Sequence, residues 1–242
     1  MPDEAPLLRA EAVHKTYGER VVTRALKGID LVVERGEFCA LTGPSGCGKT
    51  TLLNILGLLD RPTEGHVFLR GTDVVPLEDD ERTTLRSETL GFIFQFHHLL
   101  MAFTALENVM MPLLSKHGRQ APWMRDRAGD LLERMGLADR ARYRVTDLSG
   151  GQQQRVAVAR ALVMEPALVL ADEPTGNLDT ESGDRVLEVL REVNRESATA
   201  FLVVTHDQGI ADRCDRIVHM IDGLVDSDVV TESGKTKGGG PG

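Results

Sequence analysis

The stretch Gly43–Thr50 reads "GPSGCGKT" and stands between "EFCALT" (Glu37–Thr42) and "TLLNILGLL" (Thr51–Leu59). It fits G-x-x-x-x-G-K-[ST] in the strand–loop–helix setting that the motif requires. The glycines let the backbone wrap phosphate oxygens with its N–H groups. Lys49 then reaches the β- and γ-phosphates, and the Thr50 hydroxyl is placed to ligate Mg²⁺. The tail repeats "GKT" at Gly234–Thr236, but Val229 stands where the first glycine belongs and no strand or helix flanks it. That copy is a decoy.

Working outward, short β-type runs separated by glycine turns fill the region from "LLRAEAVHKTYG" to the loop. A helix is expected over Leu52–Leu59 and a strand at "GHVFLRG". From Gln95 to Asp147 the pattern is mostly helical, with Pro122 suited to a first helical turn. Trp123, Met124, Leu131, Leu132 and Met135 form an apolar stripe read as subdomain core. Beyond it, "ALVLADE" is an apolar run of the kind a strand buried on both faces uses. A helix over Thr180–Arg195, a strand at "AFLVVTH", a short helix and two further strands follow. This alternation predicts a largely parallel sheet. The last stretch, residues 231–242, has nothing to bury and is expected to be a disordered tail.

"LSGGQQQRVAVARALV" (Leu148–Val163) places Ser149 where a helix N-cap belongs. Gly150 and Gly151 follow at the positive end of the helix dipole. Two readings stand open for this stretch taken alone: an ordinary capped helix, or a helix end that receives an anion. In "ALVLADEPTGNLD", Asp172 and Glu173 are adjacent carboxylates at the end of a buried strand. Buried unpaired charge is costly, so they read either as a solvated strand end or as chemistry. Beside a phosphate loop the chemistry is specific: Asp172 holds Mg²⁺ and Glu173 polarises the attacking water. Asp179 follows as a possible interface contact. Gln95, just past "LGFIF", could reach the metal and its water, and His206, after "AFLVVT", the γ-phosphate. The pair His97–His98 lies on an extended segment where neighbours point opposite ways, so a shared metal site is not expected.

Bulk properties limit the alternatives. The 242 residues suffice for a sizeable core. A net charge of −9 argues against broad charge-driven nucleic-acid binding. Cys39, Cys47 and Cys214 form no C-x-x-C pair, which fits a reducing compartment without structural zinc. No apolar run approaches the roughly 18 residues of a membrane span, and the N-terminus does not read as a signal peptide. Any membrane association is therefore expected to come through a partner.

Taken in order, the phosphate loop, Gln95, "LSGGQ", "LVLADE", "GNLD" and His206 resemble the ATP-binding subunits of ABC transporters, from about Leu7 to Asp228. The resemblance implies an α/β P-loop NTPase core of the ABC ATPase type over residues 1–230, with an antiparallel β subdomain and a helical subdomain at about 95–147. It implies ATP and Mg²⁺ as cofactors. Tyr17 occupies the position of the aromatic that stacks on adenine; the alternative is a half-buried strand tyrosine. Gly43, Pro44, Ser45, Gly46, Cys47, Gly48, Lys49, Thr50 and Thr51 would cradle one nucleotide. Ser149, Gly150, Gly151, Gln152 and Asp179 would face the nucleotide held by a second, head-to-tail copy. Thr50, Gln95 and Asp172 are the implied metal residues, and Glu173, His206, Lys49 and Gln95 the catalytic ones.

Within that family, "FQFHHLL", "FTALENVMMPLL" and "TAFLVVTHD" most resemble the lipoprotein-releasing branch. Met101, where proline is expected, and Cys47, where serine is commoner, depart from its pattern. The implied role is a homodimeric ATPase that powers integral membrane subunits at the cytoplasmic face of the bacterial inner membrane. Alternatives are a macrolide-exporter-type complex, a cell-division complex acting as a clamp, or a nucleic-acid-associated ABC ATPase. The last is disfavoured because no heptad tract separates Lys49 from Ser149, and no nucleic-acid partner is expected. "FHHLLMAF" (Phe96–Phe103) is unusually apolar for a surface connection and is expected to dock the membrane subunits, with Phe96 and Leu99 as anchors; the alternative is that these residues only pack the helical subdomain. A thiol at a helix N-terminus is also expected to react readily if exposed, which marks Cys47 for alkylation.

Overall fold

A computed structural model describes residues 5–18, 21–176 and 178–234. The chain divides into two compact units, residues 1–86 with 200–242, and Ser87–Thr199. The first unit opens with β1 (Leu8–Tyr17) and β2 (Thr23–Val33), paired antiparallel. β3 (Phe38–Thr42) leads into the phosphate loop and α1 (Lys49–Leu56). β4 (Glu64–Leu69) and β5 (Thr72–Asp73) then complete a four-stranded sheet in the order β2-β1-β4-β5. Its inward positions, among them Leu8, Ala10 and Val13 of β1, are buried, while Arg9 and Glu11 pair on the outer face. This is the expected antiparallel β portion.

α2 (Asp79–Thr89) is a helix that the apolar pattern does not announce. Its sequence, "DDERTTLRSET", has almost no apolar stripe. What forms it is polar: acids fill its first turn, Glu81 accepts from the Glu78 N–H at 3.0 Å, and buried Arg82 donates to the Asp60 carbonyl at 2.7 Å.

The second unit contains β6 (Leu90–Ile93), α3 (Ala105–His117), α4 (Pro122–Arg134), α5 (Gly150–Leu162), β7 (Leu168–Asp172) and α6 (Thr180–Ser197). β6 and β7 run parallel, Leu90 opposite Leu168 and Ile93 opposite Ala171. Thr104 caps α3 through a full capping box with Glu107, and Pro122 opens α4 as expected. Met124, Leu132 and Met135 are buried in the core, but Trp123 is not: it is exposed and meets the His117 ring edge-on at 5.4 Å. The helices expected over 95–147 therefore belong to a larger compact unit that also includes the parallel strand pair and α5–α6.

The chain returns to the first unit with β8 (Ala200–Val204), α7 (Gln208–Ala211), β9 (Arg216–Ile221) and β10 (Leu224–Val230). β3 lies between β8 and β9, parallel to both, and β10 turns back antiparallel on β9. β3 and β8 are apolar runs buried almost throughout, and Phe38 and Phe201 stack at 4.9 Å across their pairing. The start of the expected tail is tied down: Thr231 donates from its backbone to Asp215 O at 3.0 Å and from its hydroxyl to Cys214 O at 2.5 Å, and its hydroxyl accepts from the Gly234 N–H at 3.2 Å. Residues 235–242, the rest of the expected tail with most of the decoy motif, lie outside the described residues.

Candidate nucleotide-hydrolysis site

β3 ends at Thr42, whose hydroxyl pairs with His219 Nδ1 at 2.9 Å, and the chain turns at once into the loop. Gly43 has φ 142°, and a Cβ there would stand 2.2 Å from the Met220 carbonyl. Gly48 has φ 106°, with the Ala25 carbonyl 2.6 Å from where its Cβ would be. Both positions exclude any other residue. α1 starts at Lys49, three residues before the start expected from its apolar stripe, because the loop itself delivers the chain into the helix.

Lys49 arches back over this turn. Its ammonium donates to the Gly43 and Pro44 carbonyls at 2.8 and 2.9 Å, and lies 3.7 Å from Cys47 Sγ. Pro44, Ser45, Gly46 and Thr50 are exposed around it, and Thr51 is half-buried. Cys47 differs from expectation: its side chain turns inward and is buried, so a reagent does not meet the thiol at the surface.

Tyr17, the expected adenine platform, is 42% exposed at the end of β1. Its hydroxyl donates to Asp60 Oδ2 at 2.9 Å. The Lys15 ammonium sits 4.9 Å from the ring centroid and donates to Asp60 Oδ1 and to Arg61 O, both at 2.7 Å. Burial raises the Tyr17 pKa, the bond to Asp60 adds to that, and a hydrogen bond with Thr51 opposes it. Burial would raise Asp60 as well, but the donors Lys15, Arg61 N–H and Tyr17 outweigh it and hold the carboxyl below its usual value. The tyrosine is thus fixed in orientation by an ion pair that sequence reading did not find. Lys15 and Asp60 are far apart in the chain, and each alone looks like an ordinary surface charge.

In the second unit, Ser149 caps α5 as expected. Its Oγ accepts from the Gln152 N–H at 3.3 Å, and Gln152 Oε1 accepts from the Ser149 N–H at 2.9 Å. Gln152, expected among the nucleotide-facing residues, therefore spends its side-chain oxygen on a capping box. The next two glutamines act locally too. Gln153 Nε2 donates to Val145 O and Leu148 O at 2.9 and 3.1 Å, and buried Gln154 donates to Pro174 O at 2.9 Å. The letters of the run gave no signal that the three differ.

The segment after Gln95 leans on the same helix. His97 Nε2 lies 3.0 Å from the Gly150 carbonyl, and Arg160 donates to the His97 and His98 carbonyls at 2.8 and 2.7 Å. His98 has φ 47°, so the segment bends here and is not extended, and its ring meets Phe94 edge-on at 5.0 Å. The two histidines do point to different partners. Burial lowers the His97 pKa, and the nearby Arg160 and His98 charges add to that. Of the apolar stretch, Phe96 is 74% and Met101 56% exposed, whereas Leu99 is buried. Leu99 is therefore a core residue and not the surface anchor expected of it.

β7 ends at Asp172, and Glu173 follows in the left-handed region at φ 47°. A strained non-glycine residue at this position is the kind of outlier found where geometry serves chemistry. Gly176 closes the turn: its N–H donates to Glu173 O at 3.1 Å, and a Cβ there would stand 3.0 Å from Glu173 Oε2. Asp179 caps α6, accepting from the Ser182 N–H at 2.9 Å, and these backbone and side-chain bonds lower its pKa. Its carboxylate thus already serves its own helix.

His206 lies two residues beyond β8 and is exposed. Its neighbours fix it: Thr205 N–H donates to Leu41 O at 3.2 Å, and the Asp207 N–H donates to Thr205 Oγ1 at 3.0 Å. Asp207 in turn caps α7. The implied metal donors, Thr50, Gln95 and Asp172, are hydroxyl, amide and carboxylate oxygens, a hard set suited to Mg²⁺. Among the described residues, no helix is long and apolar enough to cross a membrane.

The ABC transporter family profile matches residues 26–176. The lipoprotein-releasing system ATP-binding protein LolD of Anaeromyxobacter dehalogenans is 56% identical over 228 residues, 94% of this chain and 95% of the relative. LolD 1 of Rhodopseudomonas palustris is 55% identical over 223 residues, 91% and 99% of the two chains. Among solved structures, the dimeric post-hydrolysis ATP-binding cassette MJ0796 bound to ADP and Pi superposes with a TM-score of 0.88 at 41% identity, covering 92% of this chain and 98% of that one. With its phosphate loop, capped signature helix and strained carboxylate turn, the chain belongs to the ABC transporter family, as an ATP-hydrolysing nucleotide-binding subunit.

Proposed function

We propose that the chain is the ATPase of a lipoprotein-releasing complex, working as a head-to-tail homodimer bound to integral membrane subunits. The observation that carries this reading is the agreement, over nearly the full length of both chains, with relatives named for that system. The place of action is then the cytoplasmic face of the inner membrane, reached through partners.

In this reading the N–H groups of residues 43–51 receive the phosphates, and Lys49 leaves its carbonyl acceptors for the β- and γ-phosphate oxygens. That exchange replaces neutral acceptors by charged ones, which strengthens the bond. Tyr17 offers the ring face away from Lys15 to the adenine. Thr50, Gln95 and Asp172 would hold Mg²⁺, which would supply positive charge against the phosphates. Glu173 takes a proton from the attacking water as its oxygen bonds to the γ-phosphorus, and the bond from that phosphorus to the bridging oxygen breaks. His206 donates to a γ-phosphate oxygen. Ser149, Gly150 and Gly151 aim the α5 N-terminus at the nucleotide of the second copy, the anion-binding reading of that helix end. The exposed Phe96 and Met101 supply apolar anchors for a cytoplasmic element of the membrane subunits.

The test is co-purification from detergent-solubilised membranes followed by reconstitution in proteoliposomes holding an acylated lipoprotein. ATP-dependent transfer of that lipoprotein to a soluble acceptor supports the reading. Co-purification with a drug exporter or a cell-division membrane protein, without lipoprotein transfer, replaces it by one of the other branches.

A further inference from the structure

The segment that follows Gln95 and the helix that begins at Gly150 are joined by one side chain whose role the catalytic reading does not assign. His97 Nε2 stands 3.0 Å from the Gly150 carbonyl. A carbonyl can only accept, so Nε2 bears the hydrogen and donates. The other ring nitrogen, Nδ1, is buried and has no hydrogen-bond partner among the described residues. The ring therefore makes its one polar contact with Gly150, and leaving Nδ1 unpaired is a cost that this contact offsets.

The Gly150 carbonyl and the Gly151 N–H belong to one rigid, planar peptide unit. Fixing the oxygen fixes the direction of the N–H. Donation to the oxygen also draws charge from the nitrogen side, which makes that N–H a stronger donor. This peptide lies in the first turn of α5, and no Cβ at either residue crowds it, so the His97 contact adds a second restraint on the plane to the helix's own hydrogen bonding; Ser149 and Gln152 close the cap one residue earlier. The histidine itself is held from behind, because Arg160, three turns along the same helix, donates to the carbonyls of His97 and His98 at 2.8 and 2.7 Å.

We propose that His97 is a positioning residue for ATP hydrolysis, orienting the Gly150–Gly151 peptide so that its N–H meets the phosphate held by the second copy. This rests on the reading that Ser149–Gly151 act on that phosphate. His97 does not touch the nucleotide; it acts through Gly150. The requirement is for a donor of suitable reach and not for imidazole as such.

Steady-state hydrolysis by the full chain is measured for His97→Gln and His97→Met, with a Ser149→Phe variant as reference. Gln and Met have similar length, but only Gln donates a hydrogen bond. His97→Met is expected to lose about tenfold in kcat with KM for ATP unchanged, the loss expected for one hydrogen bond. His97→Gln is expected to stay within about twofold of the parent chain. Equal kcat for Gln and Met, whether both normal or both reduced, overturns the proposal. So does a loss confined to KM. Should Ser149→Phe hydrolyse ATP normally, the underlying reading of the helix end fails. A dead Ser149→Phe beside an unaffected His97→Met refutes the positioning role alone.

Discussion

Gln154 of α5 donates to the carbonyl of Pro174 at 2.9 Å, tying the signature helix to the turn that follows Glu173. Both residues are buried, and that carbonyl lies one peptide from the strained Glu173 backbone. Replacing Gln154 by Ala leaves a buried acceptor without this donor. Unfolding in urea is expected to show a loss of about 1–3 kcal/mol, with Glu173 less well held and kcat reduced. Unchanged stability and turnover would mean that the turn does not depend on α5.

The apolar segment beyond Gln95 separates into an exposed Phe96 and a buried Leu99. Phe96→Asp is expected to leave the isolated chain folded and hydrolysing ATP, while co-purification with membrane subunits is lost. Leu99→Asp is expected to cost about 3 kcal/mol or more, because it puts an unpaired charge into the core. A folded Leu99→Asp chain that merely fails to assemble would contradict this division.

Tyr17 should affect binding more than chemistry. Tyr17→Ala is expected to raise KM for ATP by about tenfold with kcat little changed, since stacking holds the base equally in ground and transition states. Asp60 contributes through pH. Its folded pKa is lowered by Lys15, Arg61 and Tyr17 despite burial, so its contribution to stability is present above the unfolded carboxyl range and is lost as pH falls through the folded value. The stability gap between the parent chain and Asp60→Asn, followed by denaturation from pH 6 downward, is expected to close below about pH 4. A gap that stays constant across that range would remove the ion pair from the account.

The three cysteines are all buried. Reaction with a thiol reagent is therefore expected to be slow in the folded chain and to reach all three only in denaturant. Rapid labelling of Cys47 in the native protein would show that the phosphate loop opens readily.

What the sequence made legible follows the kind of signal each feature carries. The phosphate loop, the capped α5 and the parallel strands were readable because glycine spacing, an N-cap serine and apolar runs are local patterns. α2 was not, because its stability comes from polar contacts of Arg82 and Glu81 and not from an apolar stripe. The Lys15–Asp60–Tyr17 arrangement and the His97–Gly150 contact join residues distant in sequence, and no spacing rule reports such pairs. Leu99 and Phe96 looked alike as letters; the chain bends at His98 between them, and the structure buries the one and exposes the other.

The central claim is that Glu173 takes the proton of the attacking water in an ATP-hydrolysing dimer. Its most direct test is Glu173→Gln, with MgATP binding, hydrolysis and assembly state measured on the same preparation. The account predicts that ATP binding is retained, that turnover falls by about 10²-fold or more, and that an ATP-bound dimer accumulates. Hydrolysis near the parent rate would contradict it.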